Sequence, residues 1–227
     1  MATRAMKARG HAASALVALC TLVSHAPDAR AADRGRGDDV SYGRFDGDLA
    51  IAGSAGITVG PRAPRATVDA RFRYLSTAGL FATYEDASIL FAKSEPRRAL
   101  AFGIELRPLF LGRWATGHEL GISRLDLLID SFALELGAVF MQPDKARFGA
   151  TPGLQAGIGF ELPFFSTARG PMLGLHGGVR WSDAALSGGP VEGPSDRAMY
   201  LTLTVGWQHL FGGSVVDLGD RKKTARR

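Results

Sequence analysis

Over most of its length the chain alternates apolar and polar residues with a period of two, the spacing of strands rather than the 3.6-residue spacing of helices. Around 45–59, Phe45, Leu49, Ile51, Ala55, Ile57 and Val59 share one face, and Asp46, Asp48, Ala50, Ala52, Ser54 and Thr58 the other. Around 66–75, Val68, Ala70, Phe72 and Tyr74 alternate with Thr67, Asp69, Arg71 and Arg73. The pattern recurs over 97–107, 153–162, 172–181 and 200–211, and less regularly over 79–91 and 132–142. It predicts eight strands, each long enough for the ~9–11 residues that a tilted strand needs to cross a bilayer. Turn chemistry fills the connectors at 60–65, 76–79, 86–96, 142–152, 164–170 and 183–196.

One stretch breaks the alternation. Within 108–131, Leu125, Leu128 and Ile129 recur at helical spacing, continued by Phe132 and Leu136. The spacing predicts a short amphipathic helix at about 123–131, with a strand starting near Leu125 as the alternative.

The N-terminus reads as a secretory signal spanning residues 1–31. Arg4, Lys7 and Arg9 precede an apolar run from Ala12 to Val23, and Ala29-Arg30-Ala31 forms a small-x-small cleavage site. Cys20, the only cysteine, lies inside this signal, so the exported chain is expected to carry no thiol and no disulfide. The formal charge of +5 includes Arg4, Lys7, Arg9 and Arg30 against Asp28; without them it falls to +2. The basic balance therefore gives little reason to expect a nucleic-acid partner. Residues 32–44 are rich in Gly, Asp and Arg and are expected to be disordered. Residues 212–227 form a basic tail ending in Arg226 and Arg227.

Mean hydropathy is close to zero, and no apolar run is long enough for a membrane helix. A barrel that crosses a membrane with alternating strands keeps its average hydropathy low in the same way. Eight antiparallel strands with one apolar face suit a soluble lipocalin-like carrier, apolar inside, or a membrane barrel, apolar outside. The polar face favours the second. It is rich in small residues and carries both signs of charge: Asp46, Asp48, Asp69, Glu105, Glu135 and Glu161 against Arg71, Arg73, Arg107 and Arg180. Packed in a narrow lumen, these would neutralise one another, as buried charges must. Aromatics near strand ends, among them Tyr74, Tyr84, Phe110, Trp114, Trp181, Tyr200 and Trp207, suit an interfacial girdle.

The last strand carries the most specific signal. In Thr204-Val205-Gly206-Trp207-Gln208-His209-Leu210-Phe211, a polar residue, a glycine two on and bulky residues reach the strand end. Here the chain resembles the small outer-membrane β-barrel proteins of Gram-negative bacteria, the class of OmpA-like eight-stranded barrels. The resemblance covers 45–211 by pattern and is concentrated in 200–211. His209 departs from the bulky apolar residue of that pattern, and 212–227 continue past the strand that usually ends such proteins.

The resemblance implies an all-β, eight-stranded antiparallel up-and-down transmembrane barrel in the outer membrane, with both termini in the periplasm. It implies outer-membrane lipid and the barrel-assembly machinery as partners, with Thr204, Gly206, Trp207, His209 and Phe211 as the assembly signal. The expected form is a monomer. Because an eight-stranded interior is just filled by side chains, the expected role is structural or interactive, without catalysis and with no cofactor. Two alternatives stand beside it. One is a lipid-modifying hydrolase using His118, Glu119 and Ser123; the other is a soluble periplasmic ligand carrier. His118, His176 and His209 lack metal-ligand spacing, and His176 on the polar face reads as a lumen hydrogen-bond partner.

Overall fold

The structure, a computed structural model, describes residues 42–44, 46–60, 63–90, 96–143, 147–188 and 197–212. The signal segment with Cys20, residues 32–41, Phe45 and the basic tail from 213 lie outside the described residues.

Eight strands form a closed barrel: β1 (Leu49–Val59), β2 (Arg65–Tyr74), β3 (Ala78–Asp86), β4 (Arg98–Leu106), β5 (Ala133–Gln142), β6 (Gly153–Pro163), β7 (Gly170–Trp181) and β8 (Arg197–Phe211). Each pairs antiparallel with the next in sequence. β1 meets β8 with Leu49 opposite Phe211 and Val59 opposite Leu201. This is the up-and-down architecture the alternation predicts, and closure leaves no free sheet edge.

Burial alternates along the strands with the polar set inside. In β8, Leu201, Leu203 and Val205 are 52, 51 and 55 % exposed, whereas Thr202 and Thr204 are 4 and 2 % exposed. The barrel is therefore inside-out relative to a soluble ligand carrier. Its lumen tolerates little bulk where strands approach closely. Gly103 on β4 and Gly137 on β5 face each other, and a Cβ on Gly103 would sit 2.2 Å from the Leu136 carbonyl oxygen.

Three boundaries differ from the alternation. β1 starts at Leu49 because the Asp46 amide donates to the Gly43 carbonyl, turning the chain before the ladder begins. β3 ends at Asp86, short of 91, because the Asp86 carboxylate accepts the Ser88 N–H and starts a 3-10 turn at Ala87–Ile89. β8 starts at Arg197, before the predicted 200.

Residues 108–131 hold two helices, α1 (Pro108–Thr116) and α2 (Ser123–Asp130). The alternative of an early strand near Leu125 does not form. The pattern of apolar residues did not predict α1, but local chemistry dictates it: Pro108 stands at its first position, and Gly117 closes it at φ 66°. A short helix, α3 (Asp183–Leu186), is capped by the Ser182 hydroxyl, which accepts the Ala185 N–H at 3.2 Å.

The antiparallel order places the start of β1, the end of β8, the 75–77 turn, the two helices and the 164–169 turn at one end, the terminal end. The connectors after β1, β3, β5 and β7 lie at the opposite end. Residues 42–44, read from composition as disordered, form a turn at the terminal end. The Tyr42 carbonyl accepts the Ala168 N–H at 2.9 Å.

Candidate functional site

The inward positions of β2 place Arg65, Asp69, Arg71 and Arg73 along one wall of the lumen, and the other strands bring charges to meet them. Two clusters result. The one nearer the terminal end centres on Arg71 and Arg73. The Arg71 Nε lies 2.7 Å from Asp69 Oδ2, and its Nη1 lies 2.6 Å from both Glu105 Oε2 and Glu135 Oε1. Arg73 pairs with Glu105 and Glu161 and donates to Gln208 Oε1 at 2.6 Å. Arg107 Nη2 reaches Glu161 Oε2 at 2.6 Å. His176 Nδ1 stands 2.9 Å from Glu135 Oε1, and Thr83 donates to Asp69 at 2.7 Å.

The second cluster is nearer the opposite end. Glu85 Oε2 accepts from Arg65 Nε at 2.7 Å, and both Glu85 oxygens face the Arg180 guanidinium. Arg180 Nε donates to Gln155 Oε1 at 2.7 Å, and its Cζ lies 4.2 Å from the Tyr200 ring centroid. Thr58 bridges Thr67 and Thr202 at 2.7 Å on each side. Beside these lies an apolar cluster of Phe81, Ala99, Ala101 and Val139.

Together the clusters pair Arg65, Arg71, Arg73, Arg107 and Arg180 with Asp69, Glu85, Glu105, Glu135 and Glu161, five of each sign. Within these clusters every charge faces one of opposite sign, as buried charge requires. Small residues make the space: a Cβ on Gly159 would lie 2.2 Å from His176 Nδ1.

A cap closes the terminal end. Arg44, 3 % exposed, pairs with Asp130 at 2.6 Å, and its Cζ lies 4.5 Å above the Phe110 ring. Arg113 of α1 spans Asp126 and Asp130 of α2. Tyr42 donates to Asp126 Oδ2, and the Leu120 amide to Asp126 Oδ1, each at 2.9 Å. The cap is bonded to the barrel wall. Ser131 Oγ accepts the Glu161 N–H at 2.8 Å, and Gln208 Nε2 donates to the Ala168 carbonyl at 2.7 Å. Between cap and network lies a cavity of ≈ 40 Å³ bordered by Arg44, Arg107, Glu161 and Gln208.

Burial alone would raise the Asp126 pKa. The Leu120 amide, Arg113 and Tyr42 outweigh it and hold the carboxyl below its ordinary value. Burial and the hydrogen bond to Asp126 push Tyr42 up to about 12.

The structure brings Asp48, Asp69, Arg71, Arg73, Glu105, Arg107, Glu135, Glu161 and Arg180 into the lumen. Asp46 is the exception. It is exposed, because the turn preceding Leu49 breaks the face assignment. Two aromatics assigned to the girdle are internal: Tyr200 packs on Arg180 within the lumen, and Phe110 is fully buried beneath Arg44. In the last strand, Thr204 and Gly206 face inward, while Trp207, His209 and Phe211 share the outward parity. The His209 and Phe211 ring centroids are 4.4 Å apart.

Sequence reasoning missed Arg65, Glu85 and the cap residues Arg44, Arg113, Asp126 and Asp130. Arg65 extends the parity of Thr67, Asp69 and Arg71 by one step. Asp126 and Asp130 stand at i, i+4, on one face of the predicted helix. His118 is exposed and Glu119 and Ser123 half-buried; among the described residues no hydrogen bond joins their side chains. Also among the described residues, no group of three or more His, Cys, Asp or Glu side chains is placed to hold a metal ion.

Replacing Arg71 with methionine leaves Asp69, Glu105 and Glu135 short of a buried partner. The expected cost is about 3–5 kcal/mol, read from denaturant unfolding in detergent micelles; an unchanged midpoint would contradict the network's role. The Tyr42 phenol makes a second prediction. Because its folded pKa is raised, the stability it adds to the cap is full below the unfolded value of 10.0 and is lost as pH rises through about 12. The difference in tyrosinate absorbance between the parent and Tyr42→Phe is expected to titrate near the upper value; titration at the lower one would refute the Tyr42–Asp126 contact.

No family model matches the chain, and no curated protein matches it. Among solved structures it is similar to Ail, the attachment invasion locus protein of Yersinia pestis, crystallised in complex with the heparin analogue sucrose octasulfate. Identity is 10 %, the TM-score is 0.31, and the match covers 71 % of this chain and 96 % of that one. It is also similar to the N-terminal β-barrel domain of Pseudomonas aeruginosa OprF, with 9 % identity, a TM-score of 0.35, and 71 % of this chain and 96 % of that one covered.

Proposed function

We propose that this chain is an exported outer-membrane β-barrel of structural or interaction type, a monomer whose lumen is closed by its own side chains. The observation that carries the reading is the inverted burial: most large apolar side chains face outward on the strands, and paired charges occupy the interior beside a small apolar cluster. Only an apolar solvent makes that distribution favourable, since the outward band would otherwise expose large apolar side chains to water. Closure supports the same reading, because a sheet crossing lipid must satisfy all of its backbone hydrogen bonds internally.

In this reading the terminal end, with the start of β1 and the end of β8, faces the periplasm. The barrel-assembly machinery engages β8 through Thr204, Gly206, Trp207, His209 and Phe211. Outer-membrane lipid covers the outward band. Among the described residues, ion pairs cross the lumen and a cap covers one end, so the barrel serves through its surface and loops rather than as a pore.

The purified, refolded protein is expected to need detergent for solubility and to shift its gel mobility on boiling. In planar bilayers it is expected to give no large, stable conductance. Solubility without detergent would defeat the membrane assignment, and a large steady conductance would defeat the closed lumen.

A further inference from the structure

At the terminal end α2 buries two carboxylates beside Leu127, and α1 buries Phe110, while most of the other large apolar side chains of the segment are exposed. In α2 the carboxylates Asp126 and Asp130 are 0 and 3 % exposed and turn inward to Arg113 and Arg44. Leu125, on a neighbouring face of the same helix, is 38 % exposed. A helix bathed in water ordinarily turns its acids outward and keeps most of its large apolar side chains inward. Six large apolar side chains, Leu109, Leu111, Trp114, Leu120, Ile122 and Leu125, are exposed over this short segment.

The exposed face is continuous with the outward band of the barrel. Leu106, at the end of β4, and Leu134, near the start of β5, are 50 and 45 % exposed, and the helices connect these strands. After α2, the Phe132 ring stands 5.3 Å from that of Phe160, an outward residue of β6. Neither helix is long enough to cross a membrane: nine and eight residues reach only about 14 and 12 Å. Short helices with an exposed apolar face, joined to an outward apolar wall, suit the plane of an interface. Trp114 and the exposed Arg124 suit that level, where an indole meets the headgroup boundary and a guanidinium meets lipid phosphate.

The geometry points to the α1–α2 hairpin as a membrane-embedded foot, its apolar face in the phospholipid of the periplasmic leaflet and its inner face sealing the lumen. This rests on the membrane reading above and adds a second lipid contact. Residues 107–132 thus cap the barrel while resting in lipid, rather than projecting into the periplasm as a binding domain.

Two single-tryptophan proteins test it, reconstituted in phosphatidylcholine vesicles with brominated acyl chains. One keeps Trp114 (Trp181→Phe, Trp207→Phe); the other keeps Trp207 (Trp114→Phe, Trp181→Phe). The expected result is loss of most emission from both. Quenching of Trp207 with Trp114 unaffected would overturn the foot and leave the membrane barrel intact. No quenching of either would overturn the membrane reading and the foot with it. Trp114 shielded from both lipid bromine and aqueous acrylamide would mean a second copy or another protein covers the face, which also overturns the proposal. If the Trp114 protein fails to show heat-modifiable mobility, Cys20→Ser, Ile122→Cys carrying an environment-sensitive dye replaces it. A blue shift on reconstitution supports the foot, and an unshifted spectrum overturns it.

Discussion

The Arg71 guanidinium reaches carboxylates from three strands: Asp69 beside it on β2, Glu105 on β4 and Glu135 on β5. A charge in that position is tolerable only if those acids are present and close, since an unpaired buried ion costs several kcal/mol. Much of the barrel follows from that constraint. The acids must stand on inward positions, so their strands must keep parity. Their neighbours must be small, so Gly159 clears space for His176, which in turn meets Glu135. The outward positions along the middle of the strands, freed from any polar duty, are apolar or small.

The terminal end extends the same arrangement beyond the sheet. Glu161 is the link: its side chain holds Arg73 and Arg107, and its backbone N–H donates to Ser131 at the end of α2. Asp130, one residue earlier, pairs with Arg44 and Arg113. Lumen and cap are therefore joined by a continuous set of polar contacts, wrapped by strands on the sides and by the two helices at one end. Removing a central arginine is expected to disturb more than its own contacts, because members of such a network do not act independently.

Strand number, order and the inward or outward sense of most residues were legible in the alternation, because a period of two survives wherever one face of a sheet is outward and apolar and the other lines a filled lumen. It failed where the backbone leaves the ladder. Asp46 closes a turn ahead of the ladder, so its parity carries no meaning, and Asp86 stops β3 by capping rather than by a change in hydropathy. Phe81 obscured Glu85: an apolar residue on the inward face made 79–91 read as irregular, when it belongs to the small apolar cluster inside the lumen. α1 was hidden because its exposed Leu109, Leu111 and Trp114 are not confined to a buried stripe; only Pro108 and Gly117 marked its ends. Arg44 could not be placed from sequence, since its partners Phe110 and Asp130 lie far along the chain.

The claim on which all of this depends is which face meets lipid. Nitroxide labels placed singly at 201 to 206 on β8, in the reconstituted protein, measure it through relaxation by oxygen and by a water-soluble nickel complex. The account predicts high oxygen and low nickel accessibility at Leu201, Leu203 and Val205, with low accessibility to both at Thr202 and Thr204. High nickel accessibility at the odd positions would place water where the account places lipid, and would contradict it.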